Sequence, residues 1–181
     1  MSGMNFKYNS AGIRTSKSYY DMNTGALTAS TFILDGSNII KEDRNGGGLI
    51  LYYYYDDSGV TGFNYNGTDY YYGKNLQGDI IKIFDASGIE VVTYKYDAWG
   101  NIISISGSLA STVGQYNPFR YRSYYYDSET GWYYLNSRYY DPSIGRFINA
   151  DGIVGANGGI QGYNMFAYCY NNPANHSDPS G

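Results

Sequence analysis

The sequence has few of the residues on which metal centres, disulfide frameworks and helical folds depend. It contains one cysteine, Cys169, and one histidine, His176, among 181 residues. A single cysteine excludes an internal disulfide, and one cysteine with one histidine cannot supply the four ligands of a cysteine-based zinc site. The helix-favouring residues Ala, Leu, Glu and Lys are sparse. We therefore expect no disulfide scaffold, no metal or other cofactor, and little helix.

Positive charge and long apolar runs are also scarce. Twelve Lys and Arg residues against sixteen Asp and Glu residues give a formal net charge of −4, which argues against a nucleic-acid-binding surface. No apolar run approaches the roughly 18–20 residues of a membrane span. The first residues, MSGMNFKYNSAGIRTSK, lack the apolar stretch of a signal peptide. We expect no nucleic-acid partner, no membrane span and no signal peptide within this chain.

Tyrosine and glycine are abundant instead, with 25 and 24 copies. They recur together in a turn signal, in which an aromatic residue is followed by Asp or Asn and then, three or four positions later, by Gly. The seven copies are Tyr8-Asn9…Gly12, Tyr20-Asp21…Gly25, Tyr55-Asp56…Gly59, Phe84-Asp85…Gly88, Tyr96-Asp97…Gly100, Tyr126-Asp127…Gly131 and Tyr140-Asp141…Gly145.

Each part of this signal has a local physical role. Tyrosine favours strands and can keep its hydroxyl in water. Asp or Asn can accept a hydrogen bond from the backbone two residues on and so begin a turn, and Gly adopts the positive φ that closes it. Gly73, Asp85 and Asp97 are twelve residues apart, which suits one strand and one turn and predicts a further turn at Gly73.

Two architectures are consistent with this pattern. One is an ordinary antiparallel meander of tyrosine-rich strands, and the other is a dedicated repeat architecture, which the number of copies favours. The segment NGGGL (45–49) lacks the Lys-Ser/Thr of a phosphate-binding loop and predicts a hairpin turn. Both architectures make the chain all-β.

Longer motifs resemble a known family. The segments YKYDAWGNI (94–102) and YYYGKNLQGDIIKIFDASG (70–88) are similar to the repeats of RHS/YD-repeat proteins. The segments YYYDSETGWYYLNSRYYDPSIGRFINAD (124–151) and NMFAYCYNNPANHSDPSG (164–181) resemble the RHS repeat-associated core that closes such proteins. The resemblance implies YD/RHS repeats over residues 1–115 and the core over residues 116–181.

The resemblance also implies a fold and a function. Family members wind an antiparallel β-sheet strip into a cocoon around a toxic C-terminal polypeptide, and this chain is similar to one section of such a shell. The implied function is to encapsulate and deliver the effector of a secreted or cell-surface polymorphic toxin. The implied partners are the rest of the same polypeptide, the toxin domain and an immunity protein. A module that binds carbohydrate or a cell surface through its aromatic strands is a further alternative.

The family core is associated with self-cleavage of the aspartyl-protease type. Its catalytic Arg and two Asp correspond to Arg138 of SRYYDP, Asp151 of FINAD and Asp178 of DPSG, and its cleavage signal corresponds to Pro173, Asp178, Pro179 and Gly181. Two adjacent carboxylates can divide the roles of acid and base between them. The family has Asp-Pro at the first carboxylate, whereas this chain has Asp151-Gly152. The alternative is that both Asp residues serve only in turns.

Two other residues could carry chemistry. Cys169 lies between Tyr168 and Tyr170, which predicts a buried strand residue rather than a nucleophile, because no base stands at motif spacing. His176 precedes Asp178 in a loop, where a histidine is usually solvated. Whether the chain is an enzyme therefore depends on Arg138, Asp151 and Asp178.

Overall fold

The computed structural model describes residues 3–150 and 164–178, and its regular structure is almost entirely β. Within these residues the helical elements are one short α-helix, α1 (Val113–Tyr116), and two 3₁₀ turns, Tyr121–Ser123 and Cys169–Asn171. The strands are β1 (Gly3–Tyr8), β2 (Arg14–Tyr20), β3 (Leu27–Asp35), β4 (Asn38–Arg44), β5 (Leu49–Asp56), β6 (Gly59–Tyr65), β7 (Thr68–Lys74), β8 (Ile80–Asp85), β9 (Glu90–Tyr96), β10 (Ile102–Ser106), β11 (Tyr125–Asp127), β12 (Trp132–Leu135), β13 (Arg138–Asp141) and β14 (Arg146–Phe147).

The strands follow one another in the sheets in the order in which they occur in the chain. Strands β1 to β10 form one sheet and strands β11 to β14 form a second. Every pair whose register is defined is antiparallel, as expected when consecutive strands are joined by tight turns. The prediction of an all-β antiparallel strip with little helix is confirmed.

The chain divides into two compact units. The first comprises Met1–Tyr72 and Phe84–Ile89, and the second Gly73–Ile83 and Glu90–Gly181. The predicted boundary between repeats and core at residues 115 and 116 is a matter of sequence motifs, and it stays a prediction.

In the first unit, strand β5 buries alternate residues, Leu51 and Tyr53. On the neighbouring strand β6, Val60 and Phe63 are buried as well. The β5–β6 ladder aligns Tyr53 with Phe63, so the two rings lie side by side on the buried face. This period of two is the pattern of a sheet with one covered face.

A charged cluster is buried in the same unit. Glu42 on β4 has no solvent-accessible surface, and its carboxylate accepts hydrogen bonds from Arg44 at 2.7 and 3.1 Å and from the Tyr53 hydroxyl at 2.7 Å. Burial alone would raise the pKa of Glu42, but Arg44, Lys17 and Tyr53 together lower it to about 2. Glu42 is therefore an ionised part of the interior at neutral pH.

The second unit contains an aromatic core. Its buried members are Tyr121, Tyr124, Tyr133, Leu135, Tyr140, Phe147, Tyr168 and Cys169. The rings of Tyr140 and Tyr168 approach to 4.1 Å between centroids. Tyr133 and Tyr140 are stacked, and most other pairs are tilted or edge-on, which suits the charge distribution of aromatic rings. The hydroxyls of these tyrosines point to backbone carbonyls or to each other. Tyr133, for example, donates to the carbonyl of Gly100 at 2.9 Å.

The YD turns have the predicted chemistry. In the turn after β8, the Asp85 carboxylate accepts hydrogen bonds from the amides of Ser87 and Ile89, both at 2.9 Å, and the amide of Gly88 donates to the Asp85 carbonyl. The glycines of all seven predicted turns have positive φ, between 65° and 96°. The hairpin turn predicted at residues 45–49 is confirmed between β4 and β5.

The turn predicted at Gly73 is wrong in position. Gly73 lies within β7, and the turn begins two residues later, at Asn75. The Asn75 side chain accepts hydrogen bonds from the amides of Gln77 and Asp79 at 3.0 and 2.9 Å, and the amide of Gly78 donates to the Asn75 carbonyl. The turn therefore keeps the acceptor side chain and the glycine and changes only the spacing along the chain.

Among the seven YD turns, glycine is required most strictly at Gly100, where φ is +91°. A Cβ atom there would lie 2.6 Å from Cδ1 of Tyr121. The Tyr121 ring crosses the turn because its hydroxyl donates to the carbonyl of Ala98 at 2.8 Å. Gly100 thus closes the turn and also makes room for a core tyrosine.

The prediction for Cys169 is half right. The side chain is buried, with 7% of its surface exposed. It lies in a 3₁₀ turn with φ of 49° rather than in a strand, because the positive φ of Cys169, Tyr170 and Asn171 is incompatible with a strand. No helix in the described part of the chain is long and apolar enough to cross a membrane.

Candidate functional site

The strongest contact between predicted site residues joins Arg138 to Asp178. Arg138 begins strand β13, and Asp178 ends a six-residue segment, 173–178, which we call the C-terminal strap. The Nη2 atom of Arg138 lies 2.8 Å from Oδ2 of Asp178, and the two side chains are 8% and 25% exposed. A charge-assisted hydrogen bond of this length and burial fixes the direction of the carboxylate.

The arginine itself is held in place by the core. Its guanidinium carbon lies 3.6 Å from the ring centroid of Phe147, a buried residue of β14. Its Nη1 atom donates to the carbonyl of Met165 at 3.4 Å. A guanidinium stacked on a ring can bind a carboxylate in its own plane, so Phe147 sets the plane in which Arg138 meets Asp178.

The backbone of Asp178 is held by Tyr124. The Tyr124 hydroxyl accepts a hydrogen bond from the amide of Asp178 at 3.1 Å and donates one to its carbonyl at 2.8 Å. The Tyr124 hydroxyl oxygen also accepts a hydrogen bond from the hydroxyl of Tyr168, at 3.3 Å. The single hydrogen and both lone pairs of the Tyr124 hydroxyl are thus used. Burial raises the pKa of Tyr124 well above its ordinary value, so the hydroxyl keeps its proton.

The other end of the strap is held by Arg122 and Gln77. Arg122 donates through Nη2 to the carbonyl of Pro173 and through Nη1 to the carbonyl of Gln77, the latter at 2.8 Å. The Gln77 side-chain amide donates to the carbonyl of Ala174 at 2.7 Å. Asp79 accepts from the backbone amide of Arg122 at 3.0 Å and lies 3.7 Å from its Nε. The turn that begins at Asn75 therefore helps to hold the strap in place.

The structure brings together two of the three predicted catalytic residues. Arg138 and Asp178 are in contact, and Pro173 of the cleavage signal is buried at the start of the strap. Asp151, Pro179 and Gly181 lie outside the described residues. The pairing of Asp151 with Asp178 stays a prediction.

Two residues of this site, Tyr124 and Arg122, carry no sign of their role in the sequence. Tyr124 begins the core motif at 124–151, and Arg122 lies just before it. Their partners lie 54 and 51 positions away, and the local sequence carries no signal for contacts at that distance. The nearest available sign was the run RYRSYYYD (120–127), in which two arginines interrupt an aromatic segment.

The remaining candidates have ordinary surroundings. His176 is exposed, and its ring lies 6.0 Å from that of Tyr170 in an edge-on arrangement. Burial raises the pKa of the Cys169 thiol to about 11, which opposes a role as nucleophile. Among residues 3–150 and 164–178, no group of three His, Cys, Asp or Glu side chains is placed to hold a metal ion.

Comparison with known proteins places this architecture in a family. Residues 43–175 match the model of the Teneurin YD-shell family. The chain is 37% identical over 177 residues to the tRNA3(Ser)-specific nuclease WapA of Bacillus spizizenii, covering 97% of this chain and 7% of that protein. It is 38% identical over 101 residues to the double-stranded DNA deaminase toxin A of Burkholderia cenocepacia, covering 55% of this chain and 7% of that protein.

Solved structures share the fold. The crystal structure of TcdB2-TccC3 without its hypervariable C-terminal region matches with a TM-score of 0.78 and 21% identity, covering 98% of this chain and 9% of that chain. The predicted membership of the RHS/YD-repeat family is confirmed. The chain spans 7% of the length of each of the two curated relatives.

Proposed function

Because the chain belongs to the Teneurin YD-shell family, we propose that it forms one section of the wall of a larger RHS shell, and that this wall encloses and delivers an effector polypeptide. The chain's own part is structural. Its strands and YD turns extend the wall, and its C-terminal strap lies where the chain leaves the wall toward the effector.

One observation carries this proposal: relatives that share this segment are named for different activities. One is a tRNA nuclease and another is a DNA deaminase toxin, and the segment amounts to 7% of each. A segment common to proteins with unrelated chemistry supports a shared task such as enclosure, rather than either chemistry itself.

The proposal has consequences for partners and location. The rest of the same polypeptide would supply the neighbouring strands, and the effector would be the enclosed cargo. An immunity protein would bind the effector rather than this chain. The complete protein would act outside the cell that makes it, secreted or on the cell surface.

Enclosure can be tested in the full-length protein with one site-specific protease. Its recognition sequence is inserted into the effector and, in a second version, into the exposed turn Asn45–Gly48, which is the matched control. We expect cleavage at the turn and protection in the effector until the shell is unfolded. Equal cleavage at both positions in the native protein would refute enclosure.

Self-processing is a second candidate, and the contact between Arg138 and Asp178 favours it. In this reaction one carboxylate would take a proton from a water molecule, and the oxygen of that water would attack the scissile carbonyl carbon. A second carboxylic acid would protonate the leaving nitrogen as the C–N bond breaks. Arg138 would hold Asp178 in the required direction, and Asp151 would supply the other carboxyl group.

This candidate is tested by expressing the full-length protein with Asp151→Asn, Asp178→Asn and Arg138→Lys. We expect the unsubstituted protein to divide downstream of Gly181 and the two Asn variants to stay intact. Arg138→Lys keeps the charge but loses the planar fork, and it should be slowed. An unsubstituted protein that stays full length would refute self-processing and would leave the enclosure proposal standing.

A further inference from the structure

We propose that Tyr124 is a positioning residue for Asp178, and that Arg122 secures the far end of the same strap, so that the strap is presented to the site as a pre-formed segment. The catalytic consequence of this role rests on the self-processing function proposed above, whereas the anchoring itself does not.

Tyr124 fixes the backbone of Asp178, and Arg138 fixes its side chain. The hydroxyl bonds both the amide and the carbonyl of Asp178, at 3.1 and 2.8 Å. Arg138 bonds the carboxylate at 2.8 Å. A residue held at both of its backbone polar groups and at its side chain has little rotational freedom left, which is the requirement for a reacting group.

The Tyr124 side chain is itself held rigidly by its packing. It is 6% exposed and makes edge-on contacts with Tyr121 and Tyr133, each at 6.4 Å between ring centroids. The Tyr168 hydroxyl donates a hydrogen bond to the hydroxyl oxygen of Tyr124. A side chain already ordered by packing loses little further entropy when it holds the strap.

Arg122 has an unusual backbone conformation. Its φ is 53°, in the left-handed region that non-glycine residues rarely adopt. Such a conformation persists where the surroundings enforce it. Asp79 enforces it by accepting a hydrogen bond from the backbone amide of Arg122. In this conformation the Arg122 guanidinium reaches the carbonyls of Pro173 and Gln77.

These anchors bind the strap through its backbone at both ends. The carbonyls of Pro173 and Ala174 and both backbone groups of Asp178 are held, whereas residues 174–177 are exposed. The Pro173 side chain is buried, and the Asp178 side chain is bound by Arg138. The strap should therefore tolerate substitution at Ser177.

The test uses the full-length protein with Tyr124→Phe and a matched control, Tyr94→Phe. The Tyr94 hydroxyl is buried in the same way, donating to the carbonyl of Gly114 at 2.7 Å and accepting from Asn117 at 3.2 Å, but these partners lie outside the strap. Amide hydrogen exchange of residues 173–178 is measured together with the rate of self-processing, at a temperature where every variant is fully folded.

We expect Tyr124→Phe to speed exchange of the Asp178 amide by about tenfold, the effect of losing roughly one hydrogen bond, and to slow processing by at least as much. Tyr94→Phe should leave both unchanged, and so should Ser177→Ala. Strap exchange equal to the unsubstituted protein in Tyr124→Phe, or equal loosening in both Tyr variants, would overturn the proposal. If the unsubstituted protein is not processed, self-processing fails and strap exchange alone decides the anchoring.

Discussion

The guanidinium of Arg138 lies 2.8 Å from the carboxylate of Asp178, although forty residues of sequence separate them. One partner lies on the core strand β13 and the other at the end of the strap, so the contact ties the end of the described chain to the second sheet. Removing either partner would leave the other with a largely buried charge, which is the costly way to break such a pair.

The glycine of the fifth YD turn gives a prediction about stability. Gly100→Ala places a Cβ atom 2.6 Å from the Tyr121 ring at φ of +91°, whereas Gly131→Ala, at φ of +78°, meets only the Tyr126 hydroxyl at 3.7 Å. An alanine forced into the left-handed conformation by itself lowers the free energy of unfolding by about 1–2 kcal/mol.

We expect Gly131→Ala to show that loss alone and Gly100→Ala to lose roughly 1–3 kcal/mol more through overpacking. Denaturant unfolding of the two variants, monitored by aromatic circular dichroism, measures the difference. Equal midpoints would show that the Tyr121 ring moves aside without cost.

Glu42 gives a prediction for acidic pH. Its pKa falls from 4.5 to about 2 on folding, so its contribution to stability is fully present above pH 4.5 and disappears as the pH falls toward 2. A shift of this size corresponds to roughly 3 kcal/mol.

Unfolding measured between pH 6 and about pH 2 should therefore show stability falling in this window. Glu42→Gln should be less stable at neutral pH, because the buried Lys17 and the half-buried Arg44 lose the negative charge that they face. Its acid dependence should also be shallower. A variant with an unchanged acid profile would contradict the assignment.

The tyrosine core gives a prediction for alkaline pH. Burial raises the pKa of Tyr94, Tyr96, Tyr124, Tyr133, Tyr140 and Tyr168 above the ordinary value of 10.0. Because the folded pKa values are the higher ones, the stability that these groups contribute is complete below pH 10 and is lost above it.

Ultraviolet titration of tyrosinate should show two phases, with the exposed tyrosines ionising near pH 10 and the buried set ionising only as the protein unfolds. The second phase should coincide with the loss of aromatic circular dichroism. A single reversible titration of all tyrosines in the folded protein would contradict this core.

The thiol of Cys169 gives a prediction about reactivity. Its pKa is raised to about 11 by burial, and a thiol reacts as its thiolate. At pH 8 we expect a disulfide reagent to modify native Cys169 at least about a hundredfold more slowly than the unfolded chain, whose cysteine has the ordinary pKa near 8.5. Rapid modification of the folded protein would show that the thiol is open to solvent.

Local chemistry was predictable from the sequence, whereas contacts between distant parts of the chain were not. The seven YD turns follow from residues within five positions of one another, and the hydrogen bonds of Asp85 have the predicted form. The twelve-residue spacing of the turns points to Gly73, which has no side chain to accept a hydrogen bond. The turn needs such an acceptor, and Asn75 provides one.

The candidate site divides in the same way. Arg138 and Asp178 were found through family motifs, and the structure places them in contact. Tyr124 was missed as an anchor because a hydroxyl that binds a backbone 54 positions away leaves no trace in its own neighbourhood. The low pKa of the buried Glu42 likewise depends in part on Lys17 and Tyr53, which lie on other strands.

An experimental density map of the full-length protein by electron cryomicroscopy tests the central claim most directly. The account predicts that residues 3–150 continue the sheet of the preceding repeats into a closed wall, with density for the effector inside it. An effector that appears as a separate domain outside the sheet, or a sheet that ends at β1 without a neighbouring strand, would contradict it.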